Sequence, residues 1–167
     1  MTAFTFRMPA GIPGDVNRAE VATVESNVIT PAGNANAPTV FGVGILVDAV
    51  TGQVRLPTVG DTSIYGFLVR PYPIQDSLQA PILGVSTAEA QGECDVLKRG
   101  YMTVLLQNTT AAIKGGGIYV RISGATGSLQ LGGVEAAAGS GLIGPLPSSY
   151  FVGPADANGI TEIAFNI

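Results

Sequence analysis

Glycine or proline interrupts this chain so often that long helices are ruled out. Twenty-three glycines and eleven prolines are spread over 167 residues. Glycine weakens a helix interior and proline breaks it, so the backbone is restricted to short extended pieces joined by turns. Disorder is excluded by the rest of the composition. Only 12% of the residues are charged and 46% are apolar, whereas a disordered segment is charged and poor in apolar groups. A chain of this length can bury a core without disulfides or a metal, as one domain or as two small halves.

The strand pattern can be followed along the sequence. Asp15–Thr30 is the longest stretch without glycine or proline. Val16, Ala19, Glu20 and Val24 fit one helical face, but valine and threonine favour a strand from about Val21. Val40–Ala49 reads as a strand, Thr51-Gly52 as a turn, and Gln53–Leu56 as the return. Ile64–Arg70 carries Tyr65, Phe67 and Val69 on one face and Ile64 and Leu68 on the other, the mark of a strand buried on both sides. Asp95–Gln107 is the longest strand candidate, with Gly100 at a bulge or bend. Ile118–Ser123 and Ser128–Leu131 form a hairpin around Ala125-Thr126-Gly127. Residues 132–149 read as loop. Ile160–Ile167 alternates, with Ile163, Phe165 and Ile167 inward. Ser86-Thr87-Ala88-Glu89 has capping-box spacing, but Gly92 limits any helix there to one or two turns. The expected fold is all-β, a small β-barrel or sandwich-like domain with an extended N-terminal arm and at most one short helix.

The arm is residues 1–19 and the body residues 20–167. Phe4, Phe6, Met8 and Ile12 are apolar groups on the arm that something must cover, either its own body or a neighbouring subunit. The body contains an echo. Gly42-Val43-Gly44-Ile45-Leu46-Val47 and Gly115-Gly116-Gly117-Ile118-Tyr119-Val120 are each followed by Thr-Gly, at Thr51-Gly52 and Thr126-Gly127. This suggests two related hairpin units, at about 40–73 and 115–147, against the alternative of chance similarity between glycine-rich hairpins.

The equipment for chemistry is missing. The chain has no histidine, so histidine-containing triads and most zinc sites are excluded. No glycine run leads into Gly-Lys-Ser/Thr, and neither Gly-x-Gly segment opens a helix. Gly139-Ser140-Gly141 lacks the spacing of a nucleophile elbow. Asp48, Asp61 and Asp156 sit beside turns and read as solvated turn residues rather than a glycosidase pair. No dense series of acidic ligands is present, and no metal or other cofactor is expected. Cys94 is the single cysteine, so no internal disulfide can form. Glu93 and Asp95 beside it disfavour a thiolate. An enzyme reading survives only as a carboxylate-only hydrolase.

The net charge of −4 gives no attraction to a phosphate backbone, so nucleic acid is not an expected partner. The longest apolar run, Val40–Val47, is far short of the ~20 residues a membrane helix needs, so no membrane partner is expected either. The first residues lack the apolar core of a signal peptide, so synthesis in a cytosol is expected. Asn108-Thr109-Thr110 then carries no meaning as a glycosylation sequon. Six of the eight cations are arginines (Arg7, Arg18, Arg55, Arg70, Arg99 and Arg121). Arginine suits fixed bidentate pairs at interfaces, which hints at a protein–protein role.

Several segments in order carry a resemblance. They are Pro9-Ala10-Gly11-Ile12-Pro13-Gly14-Asp15-Val16-Asn17-Arg18-Ala19, Phe41-Gly42 with Asp48 and Thr51-Gly52, and Tyr65-Gly66-Phe67-Leu68-Val69-Arg70-Pro71-Tyr72-Pro73. Lys98-Arg99-Gly100-Tyr101-Met102-Thr103-Val104 follows, then Gly117-Ile118-Tyr119-Val120-Arg121, and Phe151-Val152-Gly153-Pro154-Ala155-Asp156 with Glu162-Ile163. The set resembles the structural cement, or decoration, proteins of tailed bacteriophage capsids. The glycine-rich stretch 132–147 has no counterpart in it. The resemblance implies a homotrimer on the outside of the virion, at local threefold positions, that bridges major capsid proteins against DNA pressure with no active site or cofactor. Phe4, Phe6 and Met8 would then supply buried contact, with Arg7 and Arg18 paired to carboxylates and Ile12 on the same arm. Threefold packing would involve Tyr65–Arg70 or Arg99–Val104, hence Arg70, Arg99 and Tyr101. The rival reading is a β-sandwich binding module, for instance for glycans on a tail or fibre. It would need a groove lined by Tyr72, Tyr101 and Tyr150, with Tyr119 read as core.

Overall fold

A computed structural model of the chain describes residues 11–71, 87–108 and 110–167. Phe4, Phe6, Arg7, Met8, Tyr72 and Ser86 lie outside them. Among the described residues there is no α-helix, only a short 3-10 turn at Ala19–Val21. The strands are β1 (Thr23–Val28), β2 (Gly44–Val47), β3 (Val54–Arg55), β4 (Gly66–Val69), β5 (Glu93–Leu105), β6 (Tyr119–Arg121), β7 (Val134–Glu135), β8 (Leu142–Ile143), β9 (Tyr150–Phe151) and β10 (Ile160–Phe165). The all-β, sandwich-like expectation holds, and neither sheet closes into a barrel.

β5 is the spine of the molecule. The larger sheet runs β3-β2-β4-β5-β10-β9, with β1 also on β5. The N-terminal half of β5 is paired on both edges, since Leu97 faces both Phe67 of β4 and Val24 of β1. Its C-terminal half is paired on both edges too, with Met102 between Ile163 of β10 and Val16 of the entering chain. The Gly14 N–H donates to the Thr103 carbonyl at 2.8 Å and the Asn17 N–H to the Tyr101 carbonyl at 3.1 Å, so residues 14–17 run antiparallel to β5. The chain then passes Gly100 to begin β1. Gly100 has φ +136°, and a Cβ there would stand 3.1 Å from Ala22 Cα, so the bend expected at this glycine is also where another segment lies directly on the strand.

The smaller sheet, β7-β6-β8, packs on one face of the larger. Gly44 on β2 makes the approach of β6 possible, since a Cβ there would lie 2.9 Å from a Val120 methyl. Phe67, Leu97, Met102, Val104, Ile118, Val120, Val134, Phe151, Ile163 and Phe165 form the main core between the sheets, and Phe67 meets Phe165 edge-on at 5.0 Å. A second cluster of Ile29, Phe41, Val43, Ile45, Val54, Leu68, Cys94 and Val96 fills the opposite face. β4 is therefore buried on both sides, as its sequence implied.

Four local expectations need correction. Ser128–Leu131 is not a strand. A turn closed by the Leu129 N–H to the Thr126 carbonyl occupies it, and β6 pairs instead with β7 and β8, inside the segment read as loop. Two-residue strands between glycines carry no alternation for a sequence reading to detect. Ile167 is 39% exposed rather than inward, because Asn166 takes φ +53° and ends the alternation of β10 after Phe165. Ile64 packs on the main core and Tyr65 on the second cluster, the reverse of strict alternation, since the strand starts only at Gly66. Asp61 is no free turn residue: it takes both arms of Arg55 at 2.9 and 3.0 Å.

Candidate functional site

The carboxylates and the thiol are held in structural roles. Asp48 accepts the N–H groups of Val50 and Thr51, which places its pKa below the ordinary carboxylate value. Asp156 accepts those of Asn158 and Ile160. The bidentate hydrogen bonds from Arg55, with the Thr58 N–H, bring Asp61 down to about 2. Burial, and then the charge of Asp95, push the Cys94 thiol up to about 11, so the expected inert thiol has burial as its larger cause. Among the described residues no acidic, cysteine or histidine cluster could hold a metal. Two surface hollows, of about 170 and 330 Å³, contain no carboxylate in their linings.

The functional candidate is instead a surface cluster that the spine assembles. Tyr101 on β5 and Tyr150 on β9 both stand in register with Ala164 of β10. Alanine between them leaves the two rings free to reach each other across the intervening strand. The nearby Tyr101 hydroxyl raises the pKa of Tyr150 above its ordinary value. Arg18, delivered by the ladder at residues 14–17, lays its guanidinium carbon 3.9 Å above the Tyr101 ring. Its Nη2 is 3.3 Å from Glu162 Oε2, and Asn17 Nδ2 donates to Glu162 Oε1 at 3.1 Å. An exposed cation–π contact contributes about 0.5–1 kcal/mol, so the stack chiefly fixes the arginine's direction. Arginine and tyrosine with few rotamers left to lose are the side chains that dominate protein interfaces.

The other expected contact residues are scattered. Arg70 follows β4, with its guanidinium carbon 5.9 Å from the Phe41 ring and its N–H on the Gly14 carbonyl. Ile12 is half-buried, and its carbonyl accepts from the Thr103 hydroxyl. Arg99 is exposed opposite Thr23, and takes part in none of the ion pairs among the described residues. Tyr119, read as core, is half-buried and belongs to neither core cluster.

Sequence reasoning missed two features. One is a second cation–π stack, with Lys98 Nζ 3.0 Å from the Tyr65 ring centroid while the Tyr65 hydroxyl donates to Glu25 at 2.5 Å. Its partners are far apart in sequence and only the β1–β5–β4 pairing unites them. The other is that β1 is exposed along nearly its whole length, with Val24 and Val28 each 41% exposed and Val21, in the turn before it, 43% exposed. A signal was present in the lack of a consistently polar face between Val21 and Val28.

Comparison with known proteins follows the same line. Residues 1–165 match the family model described as XM1 gp53 minor capsid protein. Among solved structures, a chain of the capsid of Myoviridae phage XM1 is similar, with TM-score 0.72 and 19% identity over 98% of this chain and 95% of that one. At that identity the likeness concerns the fold. No curated protein matches the chain.

Proposed function

Since the chain belongs to the XM1 gp53 minor capsid protein family, we propose that it is a structural cement protein that decorates the outer surface of a phage capsid and clamps neighbouring major capsid proteins. The coarser part is plain: it is a capsid-associated structural protein of a virion. What supports the finer reading most is a family match that spans the arm and the body together rather than an isolated β-domain. The geometry is in keeping with it. The polar side chains gathered at this surface, Arg18, Tyr101 and Tyr150, are of interface type, and Glu162 braces Arg18. The protein acts as a homo-oligomer, a trimer in this reading, and works by adding buried contact between lattice subunits.

The test is addition of the purified protein to expanded shells that lack it. Stoichiometric occupancy of the outer surface is expected, with greater resistance of filled heads to DNA loss on heating. Replacement of Arg18 and Tyr101 by alanine should lower occupancy without lowering the melting temperature by more than a few degrees. Shells that take up no protein, or take it up with no gain in resistance, overturn the proposal.

A further inference from the structure

The edges of the two sheets are covered unequally. β3 is capped by Ile29–Thr30, through a parallel bridge to Val54 and the Thr30 N–H on the Val54 carbonyl at 3.0 Å. β9 is capped by residues 115–117, with Phe151 N–H on the Gly116 carbonyl at 3.0 Å. β7 is capped by Leu106–Gln107, with Gln107 N–H on the Val134 carbonyl at 2.9 Å. β8 is only two residues long. β1 differs: six residues, paired among the described residues with β5 alone, and exposed at all but Asn27. It contains no proline and no lysine; of the devices that blunt a free edge it has the charge of Glu25 and a register shift confined to its start, between Thr23 and Val24. The Ile29 N–H points to the Gly92 carbonyl and the Thr30 N–H away from it to Val54. Alternation then turns the N–H groups of Val24 and Ser26 toward the open side.

We infer that β1 is the acceptor of an added strand, and that the strand is residues 1–10 of a neighbouring copy. The inference rests on the self-association in the proposed function and names its contact. Three observations select this occupant. First, the segment alternates with the period of a strand, with Phe4, Phe6 and Met8 separated by Thr5 and Arg7. Beside β1, whose Val24 and Val28 share one face and Glu25 the other, such a strand sets apolar against apolar and Arg7 near Glu25. Second, the charges are complementary. Residues 1–10 hold Arg7 and no carboxylate, while Glu20, Glu25 and Glu93 are exposed on or beside β1. Third, the attachment point of the segment lies away from β1 in its own copy. Gly11 lies beside Thr103, and residues 14–17 run from there along β5 toward Gly100 and β1. The segment is therefore attached at Gly11, beside the half of β5 that β1 does not pair. Addition of a strand to a sheet edge gives affinity through main-chain hydrogen bonds and specificity through alternate side chains. Donor and acceptor are different surfaces, so the contact is heterologous and closes into a ring when the rotation permits, three copies in the trimer proposed above.

Complementation tests this in the full-length chain. Val24→Lys with Val28→Lys spoils the acceptor and leaves the donor. Phe4→Ser with Phe6→Ser spoils the donor and leaves the acceptor. Val24 and Val28 lie outside both core clusters, and circular dichroism and melting curves of each variant check that it is folded. By sedimentation velocity each variant alone should lose self-association by at least ~10-fold, because charge on the valine face or loss of the phenylalanines removes several buried contacts. Mixed at equal ratio, they should form a one-to-one dimer and nothing larger, since one intact junction remains. The inference is overturned if either folded variant still assembles as the parent does, if the mixture stays monomeric, or if the parent itself does not self-associate. Self-pairing of β1 would leave the donor variant assembled, and arms that engage only the shell would leave both unchanged. Shell occupancy of the same variants is scored separately: uptake without complementation discards this contact and keeps the cement reading.

Discussion

Gly100→Ala tests the way the chain is laid over its spine. Gly100 has φ +136°, and its absent side chain is where Ala22 passes, with Cα 3.1 Å and Cβ 3.2 Å from the position of an added Cβ. Alanine therefore meets two separate costs. Forcing an L-residue into a positive-φ conformation costs about 1–2 kcal/mol. Pressing a methyl against backbone that is already in close contact costs about 1–3 kcal/mol more, because Ala22 cannot move without disturbing the start of β1. Gly60 separates the two. It has φ +100° with nothing within 4 Å, so Gly60→Ala meets the conformational cost alone. Gly100→Ala should be less stable than Gly60→Ala by about 2 kcal/mol in urea unfolding. In a chain of this size that separates the melting temperatures by roughly 4–8 °C. Hydrogen exchange should place the loss, with amides of Val24–Val28 exchanging faster in Gly100→Ala and those of Phe67–Val69 little changed. Equal destabilisation of the two variants, within about 0.5 kcal/mol, would show that Ala22 does not rest on Gly100 and refute the crossing.

Arg121 and Glu135 form a buried ion pair, with side chains 10% and 6% exposed, so Glu135→Ala should cost about 3–5 kcal/mol by stranding a buried guanidinium, while Arg121→Met with Glu135→Leu should cost much less in the same denaturant assay. Asp61 lies at about 2 in the folded chain against an ordinary 3.8. Its folded value is depressed, so its contribution is complete above about pH 4 and is lost as the pH falls toward 2. Allowing for partial solvent contact, parent stability should drop by about 1 kcal/mol more than that of Asp61→Asn over that window. Cys94 is buried with its pKa at about 11, so at pH 8 a disulfide reagent should label the native protein no faster than it unfolds, and fast labelling in the native state would contradict the burial.

The sequence by itself determined the class of fold and the kind of protein. Its glycines and prolines permit only short strands, and the missing histidine removes most acid–base chemistry. Those are local or compositional facts, and they survive any arrangement of the chain. The alternation of Phe67, Leu68 and Val69 also made β4 legible as a strand covered on both faces. Tertiary structure decided what depends on distant pairing. That Arg18 stacks on Tyr101, that Glu162 braces it, and that Tyr150 joins them follows from four separate segments meeting along β5. No spacing in the sequence encodes that meeting. β7 and β8 were invisible for a related reason: two residues are too few for a period, and only pairing with β6 makes them strands. The bareness of β1 is the clearest instance. Val21, Val24 and Val28 look like core in the sequence because hydropathy reports what a side chain prefers. Whether anything arrives to cover it is decided by the rest of the fold, and here the described residues cap β3, β7 and β9 and none of them pairs with the outer edge of β1.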